Sequence, residues 1–186
     1  MEFFYFEGAY ALRRMQDTSE DYALLAHWLS DPCVLEFYEG RDQPFTIEKV
    51  REKYAPRVLA PEKVTPCLME YERQPMGYLQ FYPADAAEYQ FEGHGEKVYG
   101  LDLFIGEPQY WGRGLGPQFI RLLLTYLFEQ RGVDWVVLDP HVDNLRAIRA
   151  YEKCGFRKVK ILPKHEWHEG KEVDCWLMAV RWNQSN

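Results

Sequence analysis

The chain has no cysteines spaced as Cys-x-x-Cys; Cys33, Cys67, Cys154 and Cys175 are scattered singly. That excludes a zinc ribbon and gives no basis for a disulfide framework, so the four read as buried, reduced thiols. No apolar run approaches the ~20 residues of a membrane span. The opening Met-Glu-Phe-Phe-Tyr-Phe also lacks a basic n-region and is interrupted by Glu2 and Glu7. Neither a leader nor a membrane partner is expected, and the expected location is cytoplasmic. Positive charge is short too: 22 Lys and Arg stand against 29 Asp and Glu, a net charge of −7, which argues against nucleic acid or an anionic bilayer as partner. Internal repeats, linkers and low-complexity segments are missing. What is there, 186 residues of which 47% are hydrophobic and 16% aromatic, suffices for one continuous core, so a single domain over 1–186 is expected, as a monomer or weak homodimer.

The acids are unevenly spread. Asp85, Glu88, Glu92, Glu96, Asp102 and Glu107 fall within one stretch opposed by Lys97 alone. Such a run reads either as a solvated loop or as an attraction for a cationic partner.

In chain order, Tyr10 to Met15 reads as a first strand. Thr18, with Asp21 three residues on, starts a helix to about Ser30 whose stripe is Leu24, Leu25, Trp28 and Leu29, and Asp31-Pro32 ends it. Leu35 to Pro44 reads as a loop, and Thr46 caps a helix to about Leu59. Val64 to Glu72 and Met76 to Tyr82 form a hairpin about Arg73-Gln74-Pro75. After a polar loop come the strand Val98 to Ile105, a glycine turn, and a helix closed by Arg131-Gly132. Trp135 to Leu138 is a short apolar strand of the kind that lies inside a sheet, and Asp143 or Asn144 caps a helix to Lys153. Phe156 to Leu162 and Val173 to Trp182 are the last strands, joined by a charged loop carrying His165, Glu166, His168, Glu169 and Glu172. Strands and helices alternate only in the second half, so the fold class is α/β with a mixed sheet and helices on its faces.

The glycines at 112, 114 and 116 precede an apolar helix. A P-loop needs Lys and Ser/Thr where this chain has Pro117 and Gln118, and a dinucleotide fingerprint needs glycine at Pro117. Two readings remain: a tight structural turn, or a short cradle in which Arg113 and the amides through Gly116 bind a diphosphate at the helix start. Downstream, Asn144 and Tyr151 lie seven apart, on one helical face and roughly 10 Å apart along the axis. Asp102 sits in the otherwise apolar run Leu101 to Ile105, which is costly unless it is paired or works, although strand alternation also permits an outward-facing residue. Asp139 closes an apolar strand at its C-terminal end, where it either lines a site or caps a turn beside Pro140. His165-x-x-His168 lacks a third ligand, so no metal is expected.

Arg113-Gly114-Leu115-Gly116 and Asn144 to Phe156 together resemble the two cofactor motifs of the GCN5-related N-acetyltransferase (GNAT) superfamily. Tyr99-Gly100-Leu101-Asp102, Phe104 to Pro108, Leu138 to His141, Arg146 to Tyr151 and Leu162 through Gly170 further resemble aminoglycoside 6'-N-acetyltransferases of the kind that form the acetyltransferase half of bifunctional acetyltransferase–phosphotransferases. Similarity runs from about Tyr10 to Trp182, with no kinase half expected.

The resemblance implies the GNAT fold, with a central, mostly antiparallel mixed sheet flanked by helices. It implies acetyl-CoA as co-substrate, an aminoglycoside of the kanamycin or tobramycin type as acceptor, and antibiotic resistance. It makes Asp102 the general base and Tyr151 the general acid. Leu103, Phe104, Ile105, Trp111, Gly112, Arg113, Gly114, Leu115, Gly116, Asn144, Ala147 and Tyr151 then hold the cofactor. Asp102, Asp139, Tyr38, Glu39, Tyr54, Glu62 and Tyr99 line the acceptor site, with the acids near Glu169 as weaker candidates. Trp111 departs from the superfamily, which mostly has Gln or Arg there. Other readings are an acetyltransferase for a polyamine, a siderophore precursor or a protein N-terminus, or a non-catalytic binding module.

Overall fold

Eight strands form one sheet: β1 (Phe3–Glu7), β2 (Tyr10–Arg14), β3 (Thr65–Tyr71), β4 (Gln74–Pro83), β5 (Val98–Ile105), β6 (Trp135–Leu138), β7 (Arg157–His168) and β8 (Lys171–Arg181). Among the described residues five α-helices accompany them: α1 (Ser19–Trp28), α2 (Pro32–Leu35), α3 (Ile47–Leu59), α4 (Leu115–Thr125), which runs on as a π-helical turn over Tyr126–Gln130, and α5 (Leu145–Glu152). The structure is a computed structural model and describes residues 3–85, 87, 89 and 95–182, so Glu88 and Glu92 of the acidic run lie outside the described residues.

Spatial order is β1-β2-β3-β4-β5-β6-β8-β7, and every neighbouring pair is antiparallel except β5 with β6. Strand alternation divides β5 between two cores. Tyr99, Leu101, Leu103 and Ile105 pack with Phe119, Ile120 and Leu123 of α4 and Ile148 of α5. Phe104 packs on the opposite face with Tyr22, Leu25 and Trp28 of α1 and Val50 and Tyr54 of α3.

The local signals act as their chemistry requires. Thr18 accepts from Asp21 N, Thr46 from Lys49 N and Asn144 from Ala147 N, each satisfying an orphan amide at a helix start. The α1 cap is one-sided: the Asp21 carboxylate takes Gln16 N at 2.7 Å and the Arg13 guanidinium at 2.7 and 2.8 Å. Arg13 also binds Glu70 at 2.6 Å, which pins α1 to β2 and β3 through a buried ion triad.

Four expectations change. Phe3–Glu7 is an additional edge strand before Tyr10. Asp31-Pro32 stops α1 but also starts α2, where Asp31 accepts from Cys33 N and proline takes the first helical position. The hairpin turn is Glu72-Arg73, both left-handed, and β4 already begins at Gln74. The charged segment between the last two strands is strand itself, and only Glu169 and Gly170 make the turn. β7 is an edge strand with both sides largely solvated, so it carries no apolar alternation to betray it.

Gly106 is set by contact: a Cβ there would lie 2.2 Å from the Trp28 ring, whose indole N–H donates to Glu107 at 2.9 Å. Gly106→Ala is expected to lower stability by about 1–3 kcal/mol through overpacking. Gly116→Ala, inside α4 and with a Cβ that would meet only Ile105 Cδ1 at 3.7 Å, is expected to raise the urea midpoint slightly, by about 0.4–1 kcal/mol of stability.

Candidate active site

β5 and β6 pair at three positions only, Val98 with Trp135, Tyr99 with Val136 and Gly100 with Val137, whereas β5 stays paired with β4 as far as Ile105. β6 ends at Leu138, ahead of Pro140, which has no N–H to continue a ladder. The β6-facing edge of β5 is therefore without a strand partner from Leu101 to Ile105. A cavity of about 750 Å³ occupies the gap, lined by β5 on one side, by Leu138 to His141 on the other, and by the starts of α4 and α5.

At one end, Gly112, Gly114, Leu115 and Gly116 line the cavity. Gly112 and Gly114 have φ of 72° and 76°, the left-handed region that favours glycine. Gly114 is the N-cap of α4; no side chain caps this end and no acid lies in the first turn. The orphan amides and the positive end of the dipole thus face open space, an arrangement that suits an anion. Arg113 stays exposed, its guanidinium 5.4 Å from the Tyr110 ring centre, and does not line the cavity.

Cations missed in the sequence do line it: Arg146, Arg149 and Lys153. Their i, i+3, i+7 spacing along α5 is the signal that could have found them. Trp111 donates its indole N–H to Ile105 O at 3.0 Å, and Arg146 lies 3.9 Å from its ring centre, a cation–π contact. The departure at position 111 is therefore matched by an arginine stacked upon it. Asn144 and Ala147 also line the cavity, but Asn144 Oδ1 is committed to the α5 cap, leaving its NH₂ to donate to a ligand.

Asp102 stands at the centre. Gln80, its direct partner on β4, donates from Nε2 to Asp102 Oδ2 at 2.6 Å. The Gln80 carbonyl accepts from Arg57 at 2.6 Å and from Tyr78 at 2.8 Å, two donors that fix which way the amide points. Burial lifts the Asp102 pKa to about 6; the charge on Asp139 adds to the rise and the Gln80 hydrogen bond opposes it. Tyr151, also lining the cavity, is pushed well above a tyrosine's ordinary value by desolvation first and by Asp102 and Asp139 next, so it keeps its proton. Asp139 is held by His165 at 2.7 Å.

The remaining expected residues divide. Leu103, Phe104, Ile105, Tyr38 and Glu39 line the cavity. Glu39 is not a free acid, since Lys53 Nζ donates to it and the Tyr54 hydroxyl lies 3.5 Å away. Tyr54 is buried beneath this pair, edge-on to Tyr78. Glu62 is exposed beyond α3 and away from the cavity. Tyr99 points to the opposite face from Asp102, packing on Phe81, as alternation along β5 demands. Glu169 is taken by Arg41.

The acidic run is not a wall either. Glu96 accepts from Trp135 and Arg181, and Glu107 from Trp28, so of its described members only Asp102 reaches the cavity. The acids beside Asp102 are instead Asp139 and Glu166. Gln80 was legible as a lone polar residue in an apolar strand.

Residues 17–163 match the acetyltransferase (GNAT) domain family. The chain is 36% identical over 143 residues to the aminoglycoside N(6')-acetyltransferase type 1 of Klebsiella pneumoniae, covering 76% of this chain and 71% of that protein. A solved structure of aminoglycoside acetyltransferase AAC(6')-Ib with coenzyme A and kanamycin superposes at a TM-score of 0.73 with 31% identity, covering 92% of this chain and 94% of that one. Spermidine N-acetyltransferase from Vibrio cholerae shares the fold at a TM-score of 0.75, with 16% identity and coverage of 94% and 96%. The chain thus belongs to the GNAT acetyltransferase family.

The Asp102 pKa has a consequence for stability. Because the folded carboxyl binds its proton more tightly than an unfolded one, this group costs stability increasingly as pH rises from about 4 to about 6 and fully above that. Asp102→Asn is therefore expected to raise the urea midpoint at pH 8 and to match the parent at pH 4.

Proposed function

We propose that this protein transfers acetyl from acetyl-CoA to the 6'-amine of kanamycin- or tobramycin-type aminoglycosides, and so confers resistance. The observation that carries this reading is a single cavity with an uncapped helix N-terminus at one end and the paired acids Asp102 and Asp139 at the other. One end fits the pyrophosphate of coenzyme A; the other fits a polycation. The curated relative and the co-crystallised structure, by their names, are aminoglycoside acetyltransferases.

Bound acetyl-CoA supplies the acetyl thioester. Asp102, ionised above about pH 6, holds the incoming ammonium and takes its proton, leaving a nucleophilic amine. Open backbone N–H groups of Leu103 and Ile105, on the edge of β5 turned away from β4, receive the thioester oxygen and the pantetheine arm. Arg146, Arg149 and Lys153 add positive charge on the phosphate side, beside the amides of Leu115 and Gly116. Tyr151, neutral at every working pH, donates its hydroxyl proton to the departing sulfur. Asp139, oriented by His165, takes a second ammonium of the acceptor.

No helix among the described residues is long and apolar enough to cross a membrane, and all four cysteines are free. Free thiols fit a reducing, cytoplasmic setting, and the reading proposed here is of a single domain acting as monomer or weak homodimer.

Thiol release from acetyl-CoA should follow addition of kanamycin, with a higher kcat/KM than for spermidine. Asp102→Ala should lose about 10²-fold or more, the scale of a general base, and Tyr151→Phe should lower kcat with KM for kanamycin little changed. Turnover with spermidine alone would reassign the acceptor; full activity of Asp102→Ala would reassign the base. The profile of kcat/KM should fall below about pH 6. Gln80→Leu, by removing a hydrogen bond that favours the carboxylate, should move that acid limb to higher pH.

A further inference from the structure

We propose that His141, Glu166 and Cys175 form a binding site for a zinc-class divalent cation, reached through the acceptor end of the cavity. One ligand atom from each lies within 4.8 Å of the others. A tetrahedral Zn²⁺ with bonds of about 2.0–2.3 Å needs donors roughly 3.3–3.8 Å apart. Imidazole nitrogen, carboxylate oxygen and thiolate sulfur are a zinc-type donor set, and too soft a set for Mg²⁺ or Ca²⁺.

The grouping is built by the backbone. His141 and Cys175 are antiparallel bridge partners just beyond the end of β6. Val142 N donates to Asp174 O at 3.1 Å and Trp176 N to Pro140 O at 2.9 Å, on either side of the bridge. That makes His141 and Cys175 a non-hydrogen-bonded pair, the kind with Cα atoms about 4.5 Å apart and side chains closest together. β7 delivers the third donor: its register shifts between Leu162 and Glu166, which sets Glu166 opposite Val173, two residues from Cys175 and on the same face.

Access and surroundings agree. His141 is 6% exposed and Cys175 fully buried, while Glu166 is open, and His141 and Glu166 both line the cavity. His141 Nε2 and Glu166 Oε2 are 2.8 Å apart, so a modest opening of this contact admits an ion. The His168 ring lies 4.7 Å from that of His141, edge to face, and is anchored on Glu36 O at 2.8 Å, which steadies the imidazole plane.

On binding, the thiol gives its proton to solvent and the thiolate bonds the metal, while neutral imidazole and the carboxylate complete three protein ligands. Water fills the fourth position on the cavity side. The site does not depend on which amine the enzyme acetylates.

Titration of the intact protein with Cd²⁺ is expected to saturate at one equivalent, with a thiolate-to-metal charge-transfer band and release of a proton, and Zn²⁺ should displace the Cd²⁺. Cys175→Ser should abolish the band, whereas Cys33→Ser, at an exposed thiol lining the same cavity, should keep it. Because a buried substitution can impair folding, Glu166→Gln on the open strand is the second test, with an expected loss of affinity of at least about tenfold. Uptake that does not saturate at one equivalent, a band that survives Cys175→Ser, or unchanged affinity in Glu166→Gln would overturn the proposal.

Discussion

The parting of β5 from β6 is the constraint on which the rest depends. Three residue pairs hold the only parallel contact among the described strands. The register that sets Gly100 beside Val137 sets Asp102 level with Asp139, on the same face. Continuing the ladder would press two carboxylates together in a desolvated position, and Pro140 withholds a donor just beyond. Opening the strands relieves both conflicts. It also leaves backbone edge, two acids and the start of α4 facing one space.

Within that space the electrostatics are set by neighbours rather than by Asp102 alone. Burial and Asp139 push its pKa upward, and Gln80 restrains the rise. Gln80 can do so because Arg57 and Tyr78 both occupy its carbonyl, which turns the amide toward the carboxylate. A residue on β4 and one on α3 thereby tune a group on β5. At the other end, the Trp111 ring carries Arg146 across from α5, so a cation stands near the glycine turn without being at the position where the superfamily usually has Gln or Arg. The two ends have opposite sign, which suits a reaction joining an anionic carrier to a cationic acceptor.

Much of this architecture was legible in the chain. β5 and β6 run over the expected residues because apolar runs bounded by glycine or proline admit few alternatives. Thr18, Thr46 and Asn144 cap where a short polar side chain precedes a helical stripe. β7 escaped because an edge strand wetted on both sides has no hydrophobic period, and its Lys, His and Glu read as loop. α2 escaped because four residues are too few for a period to show. Tyr99 is near Asp102 in sequence but on the far face, whereas Gln80 is distant in sequence and directly opposite.

The sequence by itself determined the kinds of group available and their local settings: a glycine turn opening an apolar helix, an acid inside an apolar strand, and an asparagine and a tyrosine two helical turns apart. Those follow from short-range periodicity and backbone sterics. Only the tertiary structure decided which acids are drawn off by a lysine or arginine and which face the cavity. Glu39 went to Lys53, Glu96 to Arg181 and Glu169 to Arg41, while Asp102 and Asp139 were left facing the cavity. It also brought His141, Glu166 and Cys175 together from three separate segments. The reason is physical: a charge is neutralised by whatever lies within a few ångströms of it, and pairing register and the splay of two strands, not distance along the chain, determine what that is.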